Sequence, residues 1–446
     1  MRVKSPLIVL SILLSSIAIS SCLDSDEVTE FSSNATITSF GIDTIHGVEY
    51  KFEIDQIKNL IYNRDSLPVG SDTIIDRTLI TTLTTSGMGV TSADTLFNTE
   101  DSVNLLPAMN KSGEDGMKFK VHAADGVTTR TYTLQIRVHL QDPDSLVWKE
   151  MKEEGNVFSQ TATRGEQKAM ILNNELLVYT AHNHLYYTSS KVGEYKWQSA
   201  TVTGLPAGTQ LSSILNYGNT LYALTNDTHE VYASADGRLW EKVPGLGNNV
   251  MALIGEVNGK LSGIVNIDGT EYFDTFTAEN KVWSNTGLQT VPEGFPHQKI
   301  YATRQTNGNG TTKTYIVGTD GNTAYATIPW CSEDGKLWVA LETSSAACPL
   351  MNNPFIMYYG DQFYIFGGNM DAIYSATTGI AWYKTEKKFL LPEAFKGKKN
   401  YSIVIDPTIS ADDKRDFIWV IFGGNGAANE VWRGRLNSLG FTGNQL

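Results

Sequence analysis

Acidic residues set beside glycine and tryptophan recur along the chain: SADGRLW ends at Trp240, TAENKVW at Trp283 and SEDGKLW at Trp338, with looser copies ending at Trp197 and Trp382. Carboxylates in such numbers could pair as general acid and base or gather a cation. Their recurrence favours another role. An acid and a glycine close a tight turn, and the tryptophan packs against it. Glycine three places before tryptophan suits a left-handed turn position. Asn280, which stands there in the copy ending at Trp283, is the next best suited residue.

Other candidates for chemistry are scattered. His182 and His184 are spaced to put two imidazoles on one side of a strand, a start for metal binding, but they fall where a polar turn is expected anyway. The acidic stretch from Ile405 to Asp416 lacks the alternating-oxygen calcium loop with its distal glutamate and reads as an exposed loop. The glycine-rich NGNGTTK at Asn307 joins two strands and is no phosphate cradle on a helix. Cys331 and Cys348 are an even pair able to form a disulfide, and no neighbouring residues complete a zinc set around them. No catalytic, cofactor-binding or metal-binding residue is assigned, and no cofactor is expected.

The elements that must position these residues are strands. The chain has 446 residues, 41% hydrophobic and 19% charged, with 39 glycines, 20 tyrosines and 17 phenylalanines, the balance of a folded all-β protein rich in turns. A formal charge of −13 without a Lys/Arg-rich run excludes nucleic acid as a partner. Arg2 and Lys4 precede the apolar run PLIVLSILLSSIAI, too short to span a bilayer comfortably and shaped as an export signal over residues 1–21. ISSC, ending at Cys22, resembles the lipobox of bacterial lipoproteins, which implies lipidation of Cys22. Acyl chains anchor by burying methylenes at about 0.8 kcal/mol each, so the membrane is met through the lipid alone. The acidic tether that follows, residues 22–32, resembles the surface-display signal of Bacteroidetes lipoproteins, which implies an outer-membrane protein exposed on the cell surface.

Residues 33–141 alternate with period two. Phe119, Val121 and Ala123 precede an Asp125-Gly126 turn, and Tyr132, Leu134, Ile136 and Val138 follow it, which predicts a hairpin within a small β-sandwich of immunoglobulin or cadherin type. Segments here resemble the spacer modules of Bacteroidetes surface lipoproteins. Asp-Ser or Asp-Thr before an aliphatic residue resembles the O-glycosylation acceptor of that group, implying candidate sites at Thr44, Ser66, Thr73, Thr95, Ser102 and Ser145; turns that start strands are the alternative reading.

From residue 145 to 446 a four-strand grammar repeats. The tryptophans stand 43, 43, 55 and 44 residues apart, about one propeller blade each. An aromatic precedes the tryptophan by eight residues at Tyr232, Trp330 and Tyr374, and by ten at Tyr187, while Thr275 breaks the rule. The last unit, with Trp432, lacks a fourth strand, and the strand around Trp148 lacks its first three. Pairing the two closes six blades and removes the exposed edges.

FGGN at Phe366 and Phe422 resembles the strand end of kelch blades, and the recurring turn resembles the Asp-box of sialidases, where it is structural. A sialidase would also need an arginine clamp and a tyrosine–glutamate pair. The arginines here are few, namely Arg164, Arg238, Arg304, Arg415, Arg433 and Arg435, and the last two fall in the closing blade, outside the centre. The whole chain after Cys22 resembles a family of Bacteroidales lipoproteins of unknown function. The expected role is binding of a glycan or surface protein by a monomer, without catalysis, at one mouth of the central channel. A glycoside hydrolase or lyase, or a structural assembly component, are the alternatives.

Overall fold

The computed structural model describes residues 30–71, 77–109, 117–139, 142–152, 157–161, 163–191, 193–319, 326–343, 345–406, 416–423 and 428–437. Cys22, Thr73 and Arg415 lie outside them, as do the acidic stretch after Asp406 and Asn425 of the second FGGN. The chain divides between residues 140 and 141 into two compact units.

In the first unit the predicted hairpin forms as Met117–His122 and Thr129–Gln135, paired antiparallel with Tyr132 opposite Phe119, and Gly126 takes a φ of 73° at the turn. These strands are central in a six-stranded sheet that runs Phe52–Asp55, Leu60–Asn63, Thr129–Gln135, Met117–His122, Gly89–Ser92 and Thr95–Leu96. One pairing, Leu60–Asn63 with Thr129–Gln135, is parallel. A two-stranded ladder of Ile37–Gly41 and Thr82–Thr85 contributes Ile37 and Phe40 to the same core as Phe119, Val121, Tyr132 and Leu134. Alternation of apolar residues is what lets one face of each strand enter that core.

The second unit contains six four-stranded sheets among its described residues. Their first strands are Lys168–Leu172, Thr209–Tyr217, Val250–Val257, Gln298–Thr306, Phe355–Tyr359 and Tyr401–Asp406. Strands adjacent in sequence pair antiparallel within each sheet, so short turns suffice. The first strands of the first five sheets adjoin in succession, that of the sixth adjoins that of the first, and those of the second and fourth also approach each other around a narrow axis. The sixth sheet takes its outer strand from the other end of the unit: Ser145–Glu150 pairs antiparallel with Glu430–Asn437, Trp148 facing Gly434. A Cβ on Gly434 would lie 2.6 Å from the Trp148 ring, so the glycine is a requirement of that pairing.

The recurring turn fastens each sheet to the one before. In SADGRLW, Ser234 Oγ accepts the Gly237 N–H (2.9 Å), and Asp236 Oδ1 accepts those of Arg238 (2.8 Å) and Leu239 (2.9 Å). Gly237, at φ 74°, turns its carbonyl to the Trp240 indole (3.3 Å) and to the Tyr179 hydroxyl of the preceding sheet (2.6 Å). SEDGKLW repeats the plan: the Gly335 carbonyl accepts from Trp338 (3.2 Å) and from Ser262 of the preceding sheet (2.5 Å). The copy ending at Trp283 departs from expectation. Its left-handed residue is Lys281 (φ 48°), not Asn280, because the Lys281 N–H bonds the Thr277 carbonyl (3.0 Å) and closes the turn one residue later. Trp283 then donates to Leu246 instead (3.0 Å).

These contacts predict a steep contrast in equilibrium unfolding. Trp240 is 2% exposed, and Trp240→Ala is expected to cost about 3–5 kcal/mol. Its neighbour Leu239 is 56% exposed, and Leu239→Ala is expected to stay within about 0.5 kcal/mol of the parent in the same urea titration.

Candidate functional site

The acids of the recurring turn are occupied by their own backbone. Asp334 Oδ1, like that of Asp236, accepts two N–H groups (Lys336 at 2.9 Å, Leu337 at 2.8 Å), and both carboxyls titrate below their usual range because those bonds outweigh the effect of burial. The arginines disperse. Arg238 pairs with Glu175 (3.0 Å) and covers the Tyr187 ring (4.4 Å), Arg304 pairs with Glu256 (2.8 Å), and Arg433 and Arg435 sit in the sixth sheet. His184 shares a hydrogen bond with Thr180 Oγ1 (3.3 Å) and meets the Tyr186 ring at 4.7 Å. Among the described residues no three His, Cys, Asp or Glu side chains group as metal ligands. Asn307 begins a hairpin turn closed by its bond to the Thr311 carbonyl (2.9 Å). Cys331 and Cys348 pack in one apolar cluster, each as a free thiol in this structure.

The axis holds a cluster that motif reading passed over. Lys168 opens the first strand of the first sheet and is 6% exposed. Its Nζ donates to the Ser212 carbonyl of the second sheet (3.2 Å) and lies 4.4 Å from the centroid of the Tyr301 ring of the fourth. Ser402 of the sixth sheet lies near Tyr301, and its hydroxyl oxygen accepts the Ala169 N–H (2.7 Å). Glu166 accepts the N–H groups of Leu211 and Ser212, both at 3.0 Å. Burial pushes the Lys168 amine down to about 8, against the pull of Glu166, and burial pushes the Tyr301 phenol up. A lysine half neutral near pH 8 could serve as base or nucleophile. Its nitrogen, however, is enclosed by side chains and backbone of three sheets. The arrangement ties the first strands together across the axis. The signal for it was present: KAMIL is an apolar run with a lysine in a strand that is otherwise interior.

Space for a ligand lies off the axis. A cavity of about 10 Å³, room for one water, sits among the first strands of the second, third and fourth sheets beside Ser212 and His297. A larger pocket of about 270 Å³ opens between the fourth and fifth sheets, and none of its lining residues is on a first strand. Ile328, Pro329, Leu341, Ile380 and the Trp382 indole form apolar walls, Cys348 stands in the wall, and Glu342 and Thr343 mark the rim. Burial pushes the Cys348 thiol up to about 12, so it stays protonated at neutral pH. Of these two concavities the roomier is the lateral one.

The family model described as the DUF6242 beta propeller domain matches residues 142–444, and that of the DUF6242 N-terminal domain, a domain of unknown function, matches residues 24–136. No curated protein matches the chain. Similar solved structures include a gluconolactonase from Xanthomonas campestris, 9% identical with a TM-score of 0.39, the match covering 66% of this chain and 96% of that one. Virginiamycin B lyase from Staphylococcus aureus is 8% identical with a TM-score of 0.38, over 65% and 99% of the two chains. YCF48 bound to D1 peptide is 12% identical with a TM-score of 0.34, over 67% and 99%. Likeness at this distance carries nothing about activity.

The axial lysine has a measurable consequence. A lysine whose folded pKa falls below its unfolded value leaves the folded state with fewer bound protons, so stability rises with pH between about 8 and the unfolded value of 10.5. Urea unfolding from pH 7.5 upward is expected to show that rise in the parent chain, and Lys168→Met is expected to flatten it.

Proposed function

We propose, from the premise that this chain belongs to the DUF6242 family, that it is a lipid-anchored protein of the cell surface whose propeller binds a ligand without turning it over. The six sheets are its blades, closed by the strand that carries Trp148. The ligand is a glycan or a protein. Cys22 carries the lipid, the acidic tether directs display, and the N-terminal unit, read as an immunoglobulin-like sandwich, holds the propeller away from the membrane.

One observation carries the choice of binding over turnover, and it is the chemistry of the lateral pocket. Cleaving a glycosidic bond asks for two converging groups in complementary proton states. Among its described residues the pocket wall offers one carboxylate, Glu342, and a thiol held protonated, beside an indole and aliphatic side chains. Apolar walls with a few polar groups at the rim suit recognition. Exposure also sorts the glycosylation candidates of the N-terminal unit: Thr44, Thr95 and Ser102 are exposed, whereas Ser66, like Ser145 at the start of the second unit, is half-buried. Attachment at the exposed three is the favoured reading.

Screening the lipid-free chain on a glycan array, with mass analysis of each hit after long incubation, tests the proposal. Retained ligand of unchanged mass is expected, with binding lost in Ala347→Trp, which fills the pocket; cleaved or dehydrated product would contradict it. In cells, Cys22→Ala is expected to shift the protein from the membrane to the soluble fraction.

A further inference from the structure

One face of the sixth sheet carries a row of cations. Arg433 and Arg435 stand two residues apart on Glu430–Asn437, so both leave the same side of the strand. In register with Arg433 lie Trp419 on one neighbouring strand and Lys149 on the other, which brings a third cation into the row. Arg433 is 1% exposed and Arg435 6%.

Aromatic rings surround the guanidinium without meeting its N–H groups. The Arg433 Cζ lies 4.1 Å from the Phe417 ring centroid, 4.9 Å from that of Tyr195 and 5.4 Å from that of Trp419. Such rings favour the cation's face. Nε and Nη1 of Arg433 are nevertheless buried with no hydrogen-bond partner, and so is the Tyr195 hydroxyl. All three groups can donate, and they belong to one cluster. Burial, with the charge of Arg435 second, pushes the Arg433 guanidinium down to about 10. Of the described acids on these strands, Asp406 lies near the Trp419 indole N–H (3.4 Å), and Asp416 is held above its usual range by burial and by Asp406. Buried donors left unmet are costly, and a buried charge left unpaired more so.

We propose that this cluster is a binding site for an oxyanion, a carboxylate or phosphate group held by Arg433 together with Arg435 and Tyr195. An acceptor there would satisfy the three orphaned groups at once and supply a counter-charge to Arg433. Tyr195 comes from the first sheet and the arginines from the sixth, so the anion would also join those two sheets. The site lies apart from the lateral pocket and stands whether or not that pocket takes a ligand.

Thermal unfolding of the full chain, titrated with inorganic phosphate and separately with acetate at ionic strength held constant with sodium chloride, tests the site. The parent is expected to show a saturable rise in Tm of a few degrees and a saturable change in tryptophan fluorescence, because Trp419 lines the cluster. Arg433→Met is expected to respond to neither anion and, without them, to melt no lower than the parent, since removing an unpaired buried charge relieves its penalty. Tyr195→Phe removes a single donor and is expected to weaken the response. Parallel responses in parent and Arg433→Met would overturn the proposal. So would a flat response in the parent, or an unchanged one in Tyr195→Phe. A large loss of stability in anion-free Arg433→Met would overturn it too, because the guanidinium would then have its counter-charge within the chain.

Discussion

Four strands cannot bury both faces of a sheet by themselves, so the second unit depends on how each sheet grips the one before it. The grip is a carbonyl. At Gly237 and Gly335 a left-handed backbone turns the oxygen inward, where it accepts from its own tryptophan and from a hydroxyl on the second strand of the preceding sheet, Tyr179 or Ser262. The same φ brings the α-carbon so close that a Cβ on Gly237 would stand 2.6 Å from Leu177, which adds a steric reason for glycine to the conformational one. The neighbouring acid, Asp236 or Asp334, holds the turn by accepting two backbone N–H groups. Its charge is spent on architecture. The residue after the glycine adds a second tie, chosen to suit its target: Arg238 lies over the Tyr187 ring, whereas Lys336 reaches the buried Asp274 carboxylate at 3.3 Å.

That substitution explains what the sequence could and could not show. The tryptophan spacing, the hairpin alternation around Asp125-Gly126 and the third-strand aromatics Tyr187, Tyr232, Trp330 and Tyr374 were legible, because each is a local pattern imposed by strand geometry. Thr275 looked like a broken copy. In the structure it makes room for the Gly335 turn beside Asp274, and the ion pair with Lys336 stands where other sheets use a ring. Asn280 misled because a one-residue shift in turn closure leaves the motif spacing unchanged while moving the left-handed position to Lys281.

The candidate site was less legible than the fold, for a physical reason. Lys168 meets partners from the second and fourth sheets, far apart in sequence, and the lateral pocket joins connecting segments of the fourth sheet to Ile380 and Trp382 of a loose repeat copy in the fifth. What identifies such places is the burial of a charge or the room between sheets, and neither quantity is local. The functional consequence is a division of labour. Titratable groups near the axis bind the sheets to one another, and the roomier concavity presents apolar surface.

Amide hydrogen exchange under native conditions measures the central claim, that the recurring turn fastens sheet to sheet, most directly. The amides of Gly237 and Gly335, each bonded to the serine that opens its turn, are expected to exchange only through global unfolding, as slowly as the first strands. Exchange at the rate of exposed loops, with the first strands still protected, would contradict it.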